Sequence, residues 1–363
     1  MTALISGGTV GTPGPVGLTS GRVLRTARDG LGLSQESLAS HLSVDVNTLK
    51  GWETGRRPLG NVKTGTLRGI VRNLRTLGAP AVLGRDMGAA IDVDLTIGSI
   101  LAETRSDGAD RVETNPLAHS VTTRHWNRLL AGTIAGPGAA MSVTDRGIFV
   151  DRLQSAVEVT LRQPQRESFL LLRRQALYIL ASTRSSEPGW MSDIAGATSR
   201  TSPSSGSWTP LWVAARSLAI TRASGGDRQA LRDFIDTHLR SDSLEAANLN
   251  YWAYWLEDDG VAPEAVSDSF MTGDLGNWRG ARLMQHLVEG LDLAVPHLEL
   301  CIHSLWALLF LRPTLLDPDT APRLARRCAD LLDLRSADTV GHFARKEADQ
   351  LHYAARMALP RGL

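Results

Sequence analysis

Apolar residues recur at helical spacing through most of this chain, and three short runs near the start follow one another with almost no slack. The first is Arg22-Val-Leu-Arg-Thr-Ala-Arg28. The second opens on Ser34 as an N-cap and places Leu38, Ala39 and Leu42 on one face. The third opens on Asp45 and turns Leu49 and Trp52 inward, three apart on one side. Only Ser43 and Val44 separate the second run from the third, which predicts two helices joined by a tight turn. An amphipathic segment, Thr66–Leu77, closes this module, and Gly78-Ala-Pro80 breaks the pattern.

Beyond it the period is harder to read until residue 113. Ile91, Val93, Leu95 and Ile97 alternate with other residues, so this stretch is either one strand or the start of a helix running to Glu103. From Asn115-Pro116 helical signals repeat: Thr144-Asp145 caps a segment running to about Arg162, and Gln165–Thr183 follows. Ser185–Ser207 is rich in Ser, Gly, Thr and Pro and reads as a long loop. Helices then resume at Pro210–Ala223, Asp227–Arg240, Ser243–Glu257, Asp274–Leu291, His297–Leu311, Pro318–Leu334 and Ala337–Leu359. Short connections and no period-two alternation predict an all-α chain, with a larger body of paired helices resembling a TPR-like array. The tetratricopeptide consensus is absent. The expected division is an arm at 1–20, a helix-turn-helix module at 21–78, a linker at 79–112 and a helical body at 113–363.

The markers Ser34-Gln35, Leu38-Ala39, Leu42-x-Val44, Leu49, Glu53-x-Gly55 and Arg56-Arg57-Pro58 resemble the Cro/CI-type, or XRE, helix-turn-helix transcriptional regulators of bacteria. The resemblance covers Arg22 to Pro58 and departs at Ser43, where the turn usually carries Gly. It implies a five-helix-type DNA-binding domain that reads duplex DNA with its third helix. More loosely, Ala246-Ala-Asn-Leu-Asn250-Tyr-Trp-Ala-Tyr-Trp255 resembles an element in the long helical second domain of some of these regulators.

The residues themselves suit that chemistry. Val46, Asn47 and Lys50 lie one and four positions apart, opposite Leu49 and Trp52. Asn can pair bidentately with adenine, Lys can donate to guanine, and a Val methyl can meet that of thymine. The resemblance adds Gln35 as a base reader and implies a partly buried ion pair between Arg28 and Glu53. Gly51 is expected on the exposed side, allowing close approach. Arg56, Arg57 and Lys63, with Ser34 and Thr54, are candidates for phosphate contacts.

Charge is distributed to match. The chain carries 39 basic and 38 acidic side chains, but residues 1–80 hold 10 of the former and only 4 of the latter. A basic module on an acidic remainder is what one DNA-facing end would show. Met1–Ser20, rich in Gly, Thr and Pro, is expected to be disordered. Its glycines lack the Lys-Ser/Thr of a phosphate loop, and no basic residue precedes Arg22. The N-terminus does not read as a signal peptide and no apolar run reaches membrane length, so the expected location is the cytoplasm. Cys301 and Cys328 fall inside apolar helical patterns and read as core thiols.

Two further features invite a functional reading. Asn248, Tyr251, Trp252, Tyr254 and Trp255 gather half the tyrosines in one short helix. They form a buried packing face, a ligand pocket, or a dimer interface, and Trp208 and Trp212 could close over such a pocket. His297, Glu299, Cys301 and His303 crowd another helix, but no second ligand cluster accompanies them, so no metal or other cofactor is expected. No hydrolase, zinc-protease or nucleotide-binding motif appears, and no enzyme is expected. The expectation is a homodimeric transcriptional regulator on a pseudo-palindromic operator, its body serving dimerisation and a small-molecule or protein effector. The alternatives are an adaptor or peptide or small-molecule receptor, or an antitoxin or phage-defence regulator with a protein partner.

Overall fold

The computed structural model describes residues 16–102, 114–134, 141–162, 167–182, 190, 194, 208–260, 268–317, 319–333 and 340–359. Among them there are helices and turns and no strand. By their contacts the residues fall into two units, 1–107 with 125–155, and 108–124 with 156–363.

The first unit contains α1 (Leu18–Gly30), α2 (Gln35–Leu42), α3 (Val46–Glu53), α4 (Thr64–Thr76) and α5 (Leu83–Ala102). The predicted inward residues meet there: Leu38, Ala39, Leu49 and Trp52 are buried with Leu24, Leu59, Ile70, Leu74 and Met87. Ser34 caps α2 by accepting from Ser37 N at 3.1 Å. Asp45 caps α3 by accepting from Asn47 N at 2.8 Å. Ser43 takes the left-handed conformation, φ 54°, which lets Val44 N–H return to Ala39 O at 3.0 Å. That is the Schellman closure a glycine normally supplies, and Ser adopts it at a cost of roughly 1–2 kcal/mol. Gly21 brings α1 onto α3: a Cβ there would lie 2.4 Å from Trp52 O.

Several expectations change here. α1 begins at Leu18, and Thr19 and Ser20 are buried, so the N-terminal arm stops short of residue 20. Residues 1–15 lie outside the described ones. Much of the supposed linker is α5, a helix and not a strand. Met87, Ala90, Val93, Asp94, Ile97 and Ile100 are buried at three- and four-residue spacing, while Leu95 faces out. α5 packs on α1 and α4. The segment 125–155 also groups with this unit and not with the helical body. It carries most of α6 (Arg124–Ile134) and the start of α7 (Val143–Leu161).

Asp94 explains why α5 belongs here. The residue before α1 is Gly17, so α1 has no side-chain cap of its own. The Asp94 carboxylate supplies one from α5. It accepts from Thr19 N at 2.8 Å, Ser20 N at 2.9 Å and the Ser20 hydroxyl at 2.6 Å. A carboxylate at that end satisfies unpaired amides and meets the positive pole of the helix dipole. Asp94→Ala is expected to lower stability by about 2–3 kcal/mol, the loss of a cap plus charge-assisted bonds. Asp94→Asn should lose less, and a denaturant midpoint unchanged in the alanine variant would show the cap to be dispensable.

The second unit holds α8 (Glu167–Ser182), α9 (Pro210–Ser224), α10 (Arg228–His238), α11 (Asp242–Trp255), α12 (Ala281–Glu289), α13 (Leu298–Leu311), α14 (Ala321–Leu332) and α15 (His342–Met357). Consecutive helices pair, as in α9 with α10 and α14 with α15, which is the feature shared with a stacked array. What sets the unit apart is α13. Apolar around most of its girth and almost wholly buried, it touches α10, α11, α12 and α15. The helix expected at Asp274–Leu291 is interrupted: a 3-10 turn spans Leu275–Asn277, and Gly280, at φ 85°, redirects the chain into α12. The helix expected after Asn115 is likewise a single 3-10 turn, Pro116–Ala118, capped by Asn115. Gln175 holds this segment by accepting from Thr122 N and donating to Leu117 O and Ser120 O. The predicted Ser/Gly loop at 185–207 lies outside the described residues except for Trp190 and Ile194.

Candidate functional site

The outer face of α3 carries two of the residues expected to read bases. Asn47 and Lys50 are exposed on it, three apart, as predicted. The clamp behind them is the Arg28–Glu53 pair. Arg28 Nε donates to Glu53 Oε1 at 2.6 Å and Nη2 to Oε2 at 3.2 Å, while Nη1 reaches Leu33 O at 2.9 Å. The Glu53 side chain has no exposed surface. The hydrogen bonds that Arg28 donates to Glu53 raise the Arg28 pKa, so the guanidinium stays charged.

Three predicted roles shift once side-chain partners are seen. Gln35 Nε2 donates to Glu53 Oε2 at 2.6 Å, so its amide nitrogen is part of the clamp and not a free base reader. Val46 is half-buried and packs on the core, leaving it less to offer a thymine methyl. Gly51 is buried, because the aliphatic stem of Arg57 lies over it: a Cβ there would come 3.0 Å from Arg57 Cδ. The close approach that Gly51 permits is by the protein's own arginine.

That contact fastens Arg57 alongside α3, its Nη1 donating to Thr48 Oγ1 at 2.8 Å. Thr48, which the spacing argument passed over, thereby helps aim a guanidinium toward the rim of the reading face. Lys50, Arg56, Arg57 and Lys63 are all exposed on α3 or the chain just after it, a short basic strip suited to phosphates. Ser34 is exposed at the N-terminus of α2, its hydroxyl already accepting from Ser37 N. Thr54 is exposed too, its hydroxyl donating back to Lys50 O at 2.7 Å. Only its lone pairs remain for an outside donor.

In the second unit the aromatic cluster of α11 divides. Tyr254 is a core residue, its hydroxyl donating to Val121 O at 2.9 Å and its ring stacked on Phe270. Asn248 bridges inside the core between Arg216 and Ser304. Tyr251, Trp252 and Trp255 instead line a cleft of about 440 Å³. Neither Trp208 nor Trp212 lines it. Trp212 is buried, donating to His238 O.

The residues weighed as a metal cluster take separate positions. His303 lies between Glu245 and Glu347, Glu299 pairs with Arg232, and Cys301 is a buried thiol whose pKa burial pushes up to about 12. Burial, with Arg216 and His286 nearby, pushes His297 down to about 4. Cys328 is also a buried free thiol. Among the described residues no helix is long and apolar enough to cross a membrane.

Residues 21–83 match the family model of a helix-turn-helix domain, a span that takes in α2 and α3 and all but the first turn of α1. This module is therefore a helix-turn-helix DNA-binding domain, attached to a larger helical region. No curated protein and no solved structure matches the chain.

Proposed function

We propose that this protein is a sequence-specific transcriptional regulator of the Cro/CI class that binds a pseudo-palindromic operator as a homodimer in the cytoplasm. Its helical unit supplies dimerisation and receives an effector or partner, and it catalyses no reaction. The observation that carries the reading is the outward face of α3, with Asn47 and Lys50 exposed above a buried ion-pair clamp and Arg57 secured beside them. Asn47 suits an adenine, Lys50 a guanine, and Arg56, Arg57 and Lys63 the flanking phosphates. One recognition helix covers few base pairs, so two copies about one helical turn apart are needed to define a site.

The test is binding to an operator selected from random duplexes. Asn47→Ala and Lys50→Ala should each lose about 1–3 kcal/mol of discrimination at particular base pairs. Arg56→Ala should weaken all sequences alike and flatten the salt dependence. Full-length protein should bind the palindrome at least about tenfold more tightly than a half-site, through the effective concentration a linked partner gives. Unchanged sequence preference in the Asn47→Ala/Lys50→Ala double variant would refute the reading face. Equal affinity for half-site and palindrome would refute the dimer.

A further inference from the structure

The aromatic cleft of the second unit has an unusual charge state. Arg216 on α9 lines it and is 2% exposed. Its Nε donates to Asn248 Oδ1 at 2.9 Å, and the guanidinium carbon sits 4.4 Å from the Tyr251 ring centre and 4.8 Å from that of Trp252. Those faces stabilise a cation but do not neutralise it. The other buried arginines of this unit also leave nitrogens unpaired, Nη1 of Arg173 and Nε and Nη2 of Arg174, but neither lines the cleft and each has an anionic or dipolar partner within the fold. Arg174 pairs with Asp268, and Arg173 donates to Thr160 O and Oγ1 in the last turn of α7, at the negative end of that helix. Arg216 has a neutral amide, two rings, and an Nη2 with no hydrogen-bond partner. Trp255 Nε1, on the same cleft, is a second buried donor without a partner.

The rest of the lining fits. Among the described residues it contains no Asp or Glu, it adds Arg124, and its histidines, His286 and His297, both have lowered pKa values from burial. Two unsatisfied donors and an uncompensated positive charge call for an acceptor bearing negative charge, since each buried donor left unpaired is costly. The walls call for a flat apolar body: the Tyr178 ring lies tilted against Trp255, centres 4.8 Å apart, and Trp252 lies beside both histidines. The volume is within the range of small-molecule sites.

We propose that this cleft binds a small organic anion with a flat aromatic body, its carboxylate or phosphate meeting Arg216 and Trp255 Nε1 while its ring lies among Tyr178, Tyr251 and Trp252. This rests on the reading of the helical unit as the part that receives an effector, and it names the chemical class of that effector.

The test is calorimetric titration of the full-length protein, without DNA, against matched probes. Indole-3-acetate and adenosine 5′-monophosphate represent the carboxylate and phosphate arms, and indole-3-acetamide and adenosine are their neutral counterparts. At least one anion should bind at one per chain, about tenfold or more tighter than its neutral counterpart. Whichever arm binds identifies the acid. Arg216→Met should abolish the preference for the anion. Because that residue is buried, Ser217→Leu, which narrows the cleft and leaves Arg216 in place, is the companion variant, and it should weaken binding of anion and neutral probe alike. The proposal fails if neither anion binds at millimolar concentration, if neutral and anionic probes bind equally, or if Ser217→Leu changes nothing. Operator affinity measured with and without the bound probe then reads the regulatory role separately. An anion that binds without altering DNA affinity leaves the site standing and removes its assignment as an effector site.

Discussion

Glu53→Ala is expected to loosen the DNA-binding unit by about 3 kcal/mol, the lower end of the range for breaking a buried ion pair by removing one partner. The Glu53 side chain is fully buried and accepts from two nitrogens of Arg28 and from Gln35. Its removal strands a guanidinium that is only 11% exposed. Leu33 O and Asp29 still hold Arg28 by its Nη1, which is why the lower end applies. The measurement is hydrogen exchange of the full-length chain, comparing α1 and α3 amides with those of the second unit. Faster exchange should be confined to the first unit, and specific DNA binding should fall for every sequence, since α3 loses its attachment to α1. Glu53→Gln, which keeps an oxygen and a similar shape, should lose about half as much. Protection of α1 and α3 unchanged in the alanine variant would mean that the apolar core alone holds the recognition helix.

The placement of these helices was legible in the sequence because their signals are local. N-caps at Ser34 and Asp45, and Leu38, Leu49 and Trp52 at three- and four-residue spacing, describe the two core helices before any tertiary contact is known. What the sequence hid is partner choice. Gln35 sits at the position expected of a base reader, yet a carboxylate 18 residues on takes its amide. Gly51 and Arg57 are six apart, but only the chain's turn after α3 lays one over the other. Asp94 reads as a polar residue in an apolar helix until the uncapped end of α1 is brought to it, 75 positions away. Its helix was itself ambiguous, because apolar residues at both two- and four-residue intervals fit Ile91 to Ile97. In the second unit the aromatic run on α11 was conspicuous, whereas Arg216, which gives the cleft its charge, lies on another helix and in no motif.

Buried charge is thus used in three ways across the two units. Glu53 and Arg28 neutralise each other and lock α3 to α1. Asp94 is set against a helix dipole and free amides. Arg216 has neither a carboxylate nor a helix end as a hydrogen-bond partner, and its place on the cleft wall is where the proposed anion would supply the missing charge. Buried ion pairs are weak evidence for net stability, because desolvation opposes the attraction. Their loss by single substitution is nonetheless severe, since the remaining charge stays buried.

His303→Ala is expected to have the largest effect in the second unit for that reason. His303 Nε2 lies 2.7 Å from Glu245 Oε1 and Nδ1 lies 2.7 Å from Glu347 Oε1, so one ring joins α13 to α11 and α15. Burial alone would lower its pKa, but hydrogen bonds donated to the two carboxylates, and their attraction, reverse this and raise it to about 10. The imidazole is therefore a cation in the folded protein at neutral pH, with both nitrogens donating. Since the folded pKa lies above the ordinary value of about 6.5, this contribution to stability is fully present below pH 6.5 and is lost as pH rises towards 10. Removing the ring leaves two carboxylates in a poorly hydrated site without a cation, a loss of about 3–5 kcal/mol at neutral pH. His303→Gln bridges the same helices without charge, so its stability should vary less between pH 6.5 and 10 than that of the wild type. Denaturant melts of the wild type and both variants across that range give the answer. If wild type and His303→Gln lose stability in parallel as pH rises, the folded His303 is not a cation and the bridge is held by neutral hydrogen bonds.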